Sequence, residues 1–378
     1  MLIALVVMAV LSFAAAFALP LLFPLLPATH IHLALAMGVM PLIFGAMTHF
    51  VPVLTRSKTP PAAIQLVPAL FLAAGALAVY SFAAANSAYL IAALLALAAA
   101  AAFSNWSIRC GSSPLNKPHP CLHWYLAAIA CLALALIAVA AMALWPDQHR
   151  ALKNLHSHLN VLGFVGITAI STLQVLLPTV AGRFDQQAAN RLRLDLKWAL
   201  GGTLLVALGA AWFKPLSWLG ALMWMTPLAR LGKAWLTLYG KEIWHLHGAS
   251  PSLAAALAGF VLSLLFGMLH GTEILDAAAT SHAFILAFLF PLVTGAVSQL
   301  FPVWRRPGPQ TEWHALIRQK LGAGSGLRGA AFLAGGLLAG LGWKAGIWLA
   351  MAALIVFAMQ LANAGLSAPG PAKSANKP

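Results

Sequence analysis

Long apolar runs alternate with short polar breaks along almost the whole chain. Twelve such runs lie near residues 2–27, 30–54, 62–84, 86–106, 122–145, 154–180, 197–213, 216–238, 250–270, 277–303, 326–343 and 346–366. Each is 17 to 27 residues long, the length a helix rising about 1.5 Å per residue needs to cross a hydrocarbon layer of about 30 Å. A backbone in lipid must satisfy its own polar groups, so each run predicts a helix rather than an open strand. The runs fall into three sets of four. They divide a single membrane domain, 1–378, into repeats of approximately 1–106, 107–240 and 241–366. The Pro, Ala, Ser and Lys tail 367–378 predicts disorder.

One motif gives this division its evidence. A histidine near the start of an apolar run is followed by proline twenty residues later in three places: His32 to Pro52, His158 to Pro178 and His282 to Pro302. The histidines are 126 and 124 residues apart, and the thirteenth position after each is small (Gly45, Ser171, Gly295). Equal spacing at equal period is the signature of an internal repeat.

Composition excludes a hidden soluble domain, because 62% of residues are hydrophobic and only 8% charged. The first run follows Met1 without a basic segment before it and without a small-residue cleavage site, so it reads as a retained helix. Three cysteines make no disulfide framework. A net charge of +15 would suit nucleic acid, but its placement argues for a membrane instead. Counted on alternate sides of the runs, 18 Lys and Arg share a face with both termini, and only Arg150, Lys153, Lys214 and Lys344 lie on the other. The positive-inside rule then sets both termini in the cytoplasm of a multi-pass protein of the bacterial inner membrane, with anionic lipid headgroups as partners and no nucleic acid.

On that topology the second, sixth and tenth runs all travel inward and all begin with their histidines, which therefore share one depth near the outer surface. Ionisable side chains in a bilayer are costly and mark function. A neutral imidazole binds iron or copper without bringing charge into low dielectric, so haem or metal ligation is the use expected here. The plainer alternative, interhelical hydrogen bonding, explains one histidine better than three at equal register. Two copies hold a second histidine, as His30-Ile-His32 and His156-Ser-His158, and the third has Thr280 instead. Residues i and i+2 project about 200° apart on a helix, so each pair can serve two sites on opposite sides of its helix. His270 ends the ninth run at the same depth, and with His156 and His158 it is a candidate metal ligand.

The second run, HIHLALAMGVMPLIFGAMTHFVPVLTR, resembles the His-x-His helix of haem–copper oxidase catalytic subunits in its two histidines, Met37-Gly38, Gly45, His49 and Pro52. The resemblance implies an all-α integral membrane fold of twelve transmembrane helices in three pseudo-symmetric groups of four, with N and C termini cytoplasmic. It also implies a low-spin haem, b-type, clasped by His32 and His282. A second haem or a copper would fall to His30, His156, His158 and His270. The family's high-spin haem ligand corresponds to Thr280, its two adjacent copper histidines have no counterpart in DLKWALGGTLLVALGAAWF, and none of Tyr80, Tyr89, Tyr125 and Tyr239 lies on the sixth run. The chain also resembles the NnrS proteins, twelve-span haem- and copper-containing proteins linked to nitric-oxide stress, with Leu33-Ala34 where they carry Glu-Met. These resemblances imply electron transfer or handling of nitric oxide or oxygen, a diatomic gas ligand and a quinol or cytochrome donor. Alternatives are a non-catalytic NnrS-like stress protein or a metal transporter.

Other signals point to structure. Cys110, His119, Cys121 and His123 have zinc- or copper-binding chemistry at an irregular spacing, and an ordinary interhelical loop is the expectation. His245-Leu-His247 falls on a loop at the opposite surface. His49 lies about 25 Å further along its helix than His32 and reads as packing. Arg230 and Lys233 are placed to snorkel, and WHALIRQKL reads as a short helix on the inner leaflet.

Overall fold

The computed structural model describes residues 1–23, 27–112 and 117–366; the predicted tail 367–378, the end of the first run and part of the 109–117 segment lie outside the described residues. Those residues are helical, with no strand among them. The long helices are α1 (Leu2–Leu22), α2 (Ala28–Thr55), α3 (Ala62–Ala83), α4 (Tyr89–Gly111), α5 (Cys121–Leu144) and α6 (Pro146–Ala181). They continue with α7 (Ala188–Ala211), α8 (Pro215–Ile243), α9 (Ser250–Gly271), α10 (Ala277–Arg305), α11 (Ser325–Gly340) and α12 (Ala345–Leu366). Ten of them, all but α8 and α11, are long and apolar enough to cross a membrane. The chain is a multi-pass helical membrane protein. α11 has 16 residues, and α8 carries Arg230, Lys233 and Lys241 along with three tryptophans.

The three histidine-bearing helices are the most enclosed. In α2, α6 and α10 the buried share of the apolar span is 61, 83 and 78%, against 28–56% in the remaining spans. Stacked and edge-on rings join them to one another and to their neighbours: Phe44 of α2 meets Phe71 of α3 at 3.9 Å and Phe164 of α6 at 5.4 Å, while Phe290 of α10 meets Phe13 of α1 at 4.9 Å. Two tryptophan N–H groups buried in the bundle find partners there. Trp124 donates to the Leu192 carbonyl at 2.8 Å, and Trp224 to Thr203 at 3.1 Å.

The repeat is also visible in the backbone. After its histidine each inner helix widens into a π stretch, Leu33–Val39 in α2, Leu159–Gly166 in α6 and, one residue further on, Phe284–Leu289 in α10. Such stretches are rare and gather at functional sites. Part of the cause is local: Pro41 and Pro291, each nine residues after its histidine, have no N–H to offer the carbonyls one turn back. The freed carbonyls are covered by close helix approach. Gly75 of α3 sits on the Ala36 carbonyl and Gly259 of α9 on that of Ala287, both so near that any Cβ would overlap the oxygen. The second copy has Ile167 in the proline's place and keeps its π stretch.

WHALIRQKL is indeed a helix, Glu312–Gly322, capped by Thr311 and His314. Its side bearing His314, Ile317 and Leu321 is buried against the bundle, so protein covers the apolar face that was expected to meet lipid.

Candidate functional site

Six histidines gather at one end of the bundle: His30 and His32 in the first turns of α2, His156 and His158 before the α6 π stretch, His270 in the last turn of α9, and His282 in α10. All are half-buried. At the opposite end lie the basic loops, where Arg183 pairs with Glu242 and Arg191 with Asp185.

Four of the six rings are oriented by a main-chain carbonyl. Nδ1 of His32 lies 2.7 Å from the Ala28 oxygen, that of His156 2.9 Å from Ala135, that of His158 2.8 Å from Asn154, and that of His270 2.9 Å from Leu275. A carbonyl oxygen only accepts, so Nδ1 carries the proton and donates in each case. The neutral ring is thereby fixed in the tautomer whose Nε2 holds an open lone pair, the arrangement that metal-bound histidines require of their surroundings. Asn160 adds to this on α6, donating to the His156 carbonyl at 2.9 Å.

Two histidines of one helix turn to different neighbours, as their 200° separation requires. His32 faces His156 across the α2–α6 boundary with ring centroids 6.3 Å apart and planes 15° from parallel. The His282 ring of α10 meets Phe17 of α1 at 5.7 Å. Phe82 lies 4.6 Å from His32.

Thr280 spends its hydroxyl on the Asp276 carbonyl at 3.1 Å. No group of three or more His, Cys, Asp or Glu side chains among the described residues is arranged to hold a metal ion.

The remaining sequence candidates serve structure. His119 accepts from the Cys121 N–H at 3.3 Å and so caps the start of α5. Its pKa is pushed down, first by burial and then by Arg193. Cys121 is buried, while His245 and His247 are exposed. The latter accepts from the Gly324 N–H at 3.0 Å and ties two loops together. His49 packs edge-on to Phe50 at 5.6 Å. Arg230 does more than snorkel: it holds Asp195 of α7, whose side chain is fully buried. Sequence reasoning missed that aspartate, which stands just before the seventh apolar run among Arg191, Arg193 and Lys197.

Two defined cavities lie away from these six histidines. One, of about 360 Å³, opens among Lys241, His245, His247 and the start of α9. The other, of about 70 Å³, is enclosed by Phe50, Tyr125, Thr172, Leu176 and Leu300, and there the Tyr125 and Thr172 hydroxyls meet at 2.9 Å. Neither a scan of protein-family models nor a comparison with curated protein sequences finds a match for the chain.

Proposed function

We propose that this chain is a membrane haem protein that works in electron transfer or in the handling of nitric oxide or oxygen. The observation that carries the reading is the His32–His156 pair. Their ring centroids are 6.3 Å apart and both rings have Nδ1 tied to a carbonyl, which leaves each Nε2 lone pair open. Neutral imidazoles of this kind suit a b-type haem, which His32 and His156 would hold, with a second haem or a copper falling to the other histidines. When bound, such an iron supplies one-electron chemistry tuned by its two imidazoles.

The chain's own residues account for holding and orienting it. The Ala28 and Ala135 carbonyls set the ring rotation and raise imidazole basicity. Phe82 and Phe17 offer apolar surface beside His32 and His282. α7 offers no histidine and α6 no tyrosine, so the copper and tyrosine set that oxygen reduction uses in haem–copper oxidases is not supplied. Twelve spans, cytoplasmic termini and a bacterial inner-membrane location follow from the basic-loop asymmetry, and a quinol or cytochrome is the electron donor in keeping with that setting.

The test is an optical spectrum of the detergent-purified chain from a haem-replete host. A Soret band that His32→Ala and His156→Ala each diminish is the expected result. A colourless preparation overturns the reading.

A further inference from the structure

The larger of the two cavities, about 360 Å³, lies away from the six histidines, and nothing in the haem reading uses it. Three segments enclose it: the end of α6 at Val180, the end of α8 and the loop after it from Lys241 to Gly248, and the start of α9 at Ala249 and Ser250. Its polar lining consists almost entirely of hydrogen-bond donors.

The Ser250 side chain is the clearest sign of a ligand. It is 5% exposed, it lines the cavity, and its hydroxyl has no hydrogen-bond partner among the described residues. A buried hydroxyl left without a partner costs free energy, which a ligand in the cavity would recover. The backbone beside it is equally unengaged. The Leu253 N–H returns to the Ala249 carbonyl at 3.1 Å as the first bond of α9, and the Gly248 N–H is taken by the Gly322 carbonyl at 2.9 Å. Between them the N–H groups of Ala249 and Ser250 meet no acceptor among the described residues, and no side chain caps this end. Such groups at a helix start attract anions.

The other side chains agree in sign. His247 accepts the Gly324 N–H on Nδ1 at 3.0 Å, so its proton sits on Nε2 and that nitrogen is a donor. Lys241 is exposed on the same wall and forms no ion pair among the described residues. The carboxylate of the wall, Glu242, is already held by Arg183 at 2.6 Å. In the same loop Trp244 and Leu246 are 80% and 46% exposed, and tryptophan gathers where water meets lipid. We propose that this cavity binds a phosphate group, held by the Ser250 hydroxyl, the first N–H groups of α9, His247 Nε2 and the Lys241 ammonium. An anionic phospholipid headgroup and free phosphate share that chemistry.

Thermal melting of the detergent-purified full chain tests it, with soluble dihexanoyl phosphatidylglycerol, dihexanoyl phosphatidylcholine or inorganic phosphate titrated at constant ionic strength. A ligand that binds only the folded chain raises the melting temperature as its concentration passes the dissociation constant. Phosphatidylglycerol is expected to do so. Lys241→Gln is expected to weaken its binding about tenfold and Ser250→Ala about threefold, while Lys241→Arg retains it. Lys58→Gln removes the same charge from another exposed loop and is expected to change nothing. Stabilisation by inorganic phosphate alone, weakened by the same two variants, assigns the site to free phosphate and upholds the proposal. Stabilisation that phosphatidylcholine matches, or that Lys58→Gln weakens as much as Lys241→Gln, overturns it. So does the absence of stabilisation by either phosphate source.

Discussion

His32 and His156, 124 residues apart in sequence, face one another with ring planes 15° from parallel and centroids 6.3 Å apart. On the proposed reading the two hold one cofactor and act as a unit, and effects within a unit do not add. The double variant His32→Ala/His156→Ala is therefore expected to reduce the bound cofactor to within about 10% of the level left by either single variant. Absorbance at the Soret maximum per chain measures it. Additive losses would assign the two rings to separate centres.

Gly259 sits on the Ala287 carbonyl within the α10 π stretch, with no space for a Cβ. Gly259→Ala forces α9 and α10 apart, at a cost of about 1–3 kcal/mol for overpacking a close contact. A lower melting temperature in detergent is expected. Gly267, on the same helix but with open space at its Cβ position, provides the control, and Gly267→Ala is expected to leave melting unchanged.

Asp195 has a fully buried side chain and its partner Arg230 is 43% exposed. The pair thus lies between an exposed one, worth up to about 1 kcal/mol, and a buried one, whose breakage costs about 3–5 kcal/mol. Arg230→Ala is expected to destabilise the chain by about 2 kcal/mol, and Asp195→Asn in that background is expected to recover much of the loss by removing the stranded charge. Thermal unfolding of both variants checks this.

His119 accepts from the Cys121 N–H at the start of α5, and burial, then Arg193, lowers its pKa. Its proton is therefore bound more weakly in the folded than in the unfolded chain, and stability falls as pH drops through the unfolded histidine value. Protonation also destroys the acceptor and sets a positive charge at the positive end of a helix. Melting temperature is expected to decline between about pH 7 and pH 5, and His119→Asn, which keeps an acceptor without the titration, is expected to flatten that decline. An unchanged slope would remove His119 from the account.

Much of the architecture was legible in the chain because it depends on composition and period alone. Run lengths set the spans, proline at a constant distance from histidine exposed the repeat, and equal position in that repeat put His32, His158 and His282 at one depth. What only the tertiary structure decided is which rings meet. Spacing fixes the angle between His30 and His32 but not the rotation of α2 against α6 and α10. That rotation is settled by side chains and glycines far along the sequence, such as Gly75 on Ala36 and Phe44 on Phe164. The same holds for the Asp195–Arg230 pair, whose members come from different helices. A linear pattern specifies depth in a membrane, because depth follows residue count; neighbours around the bundle axis follow from packing, which no local spacing encodes.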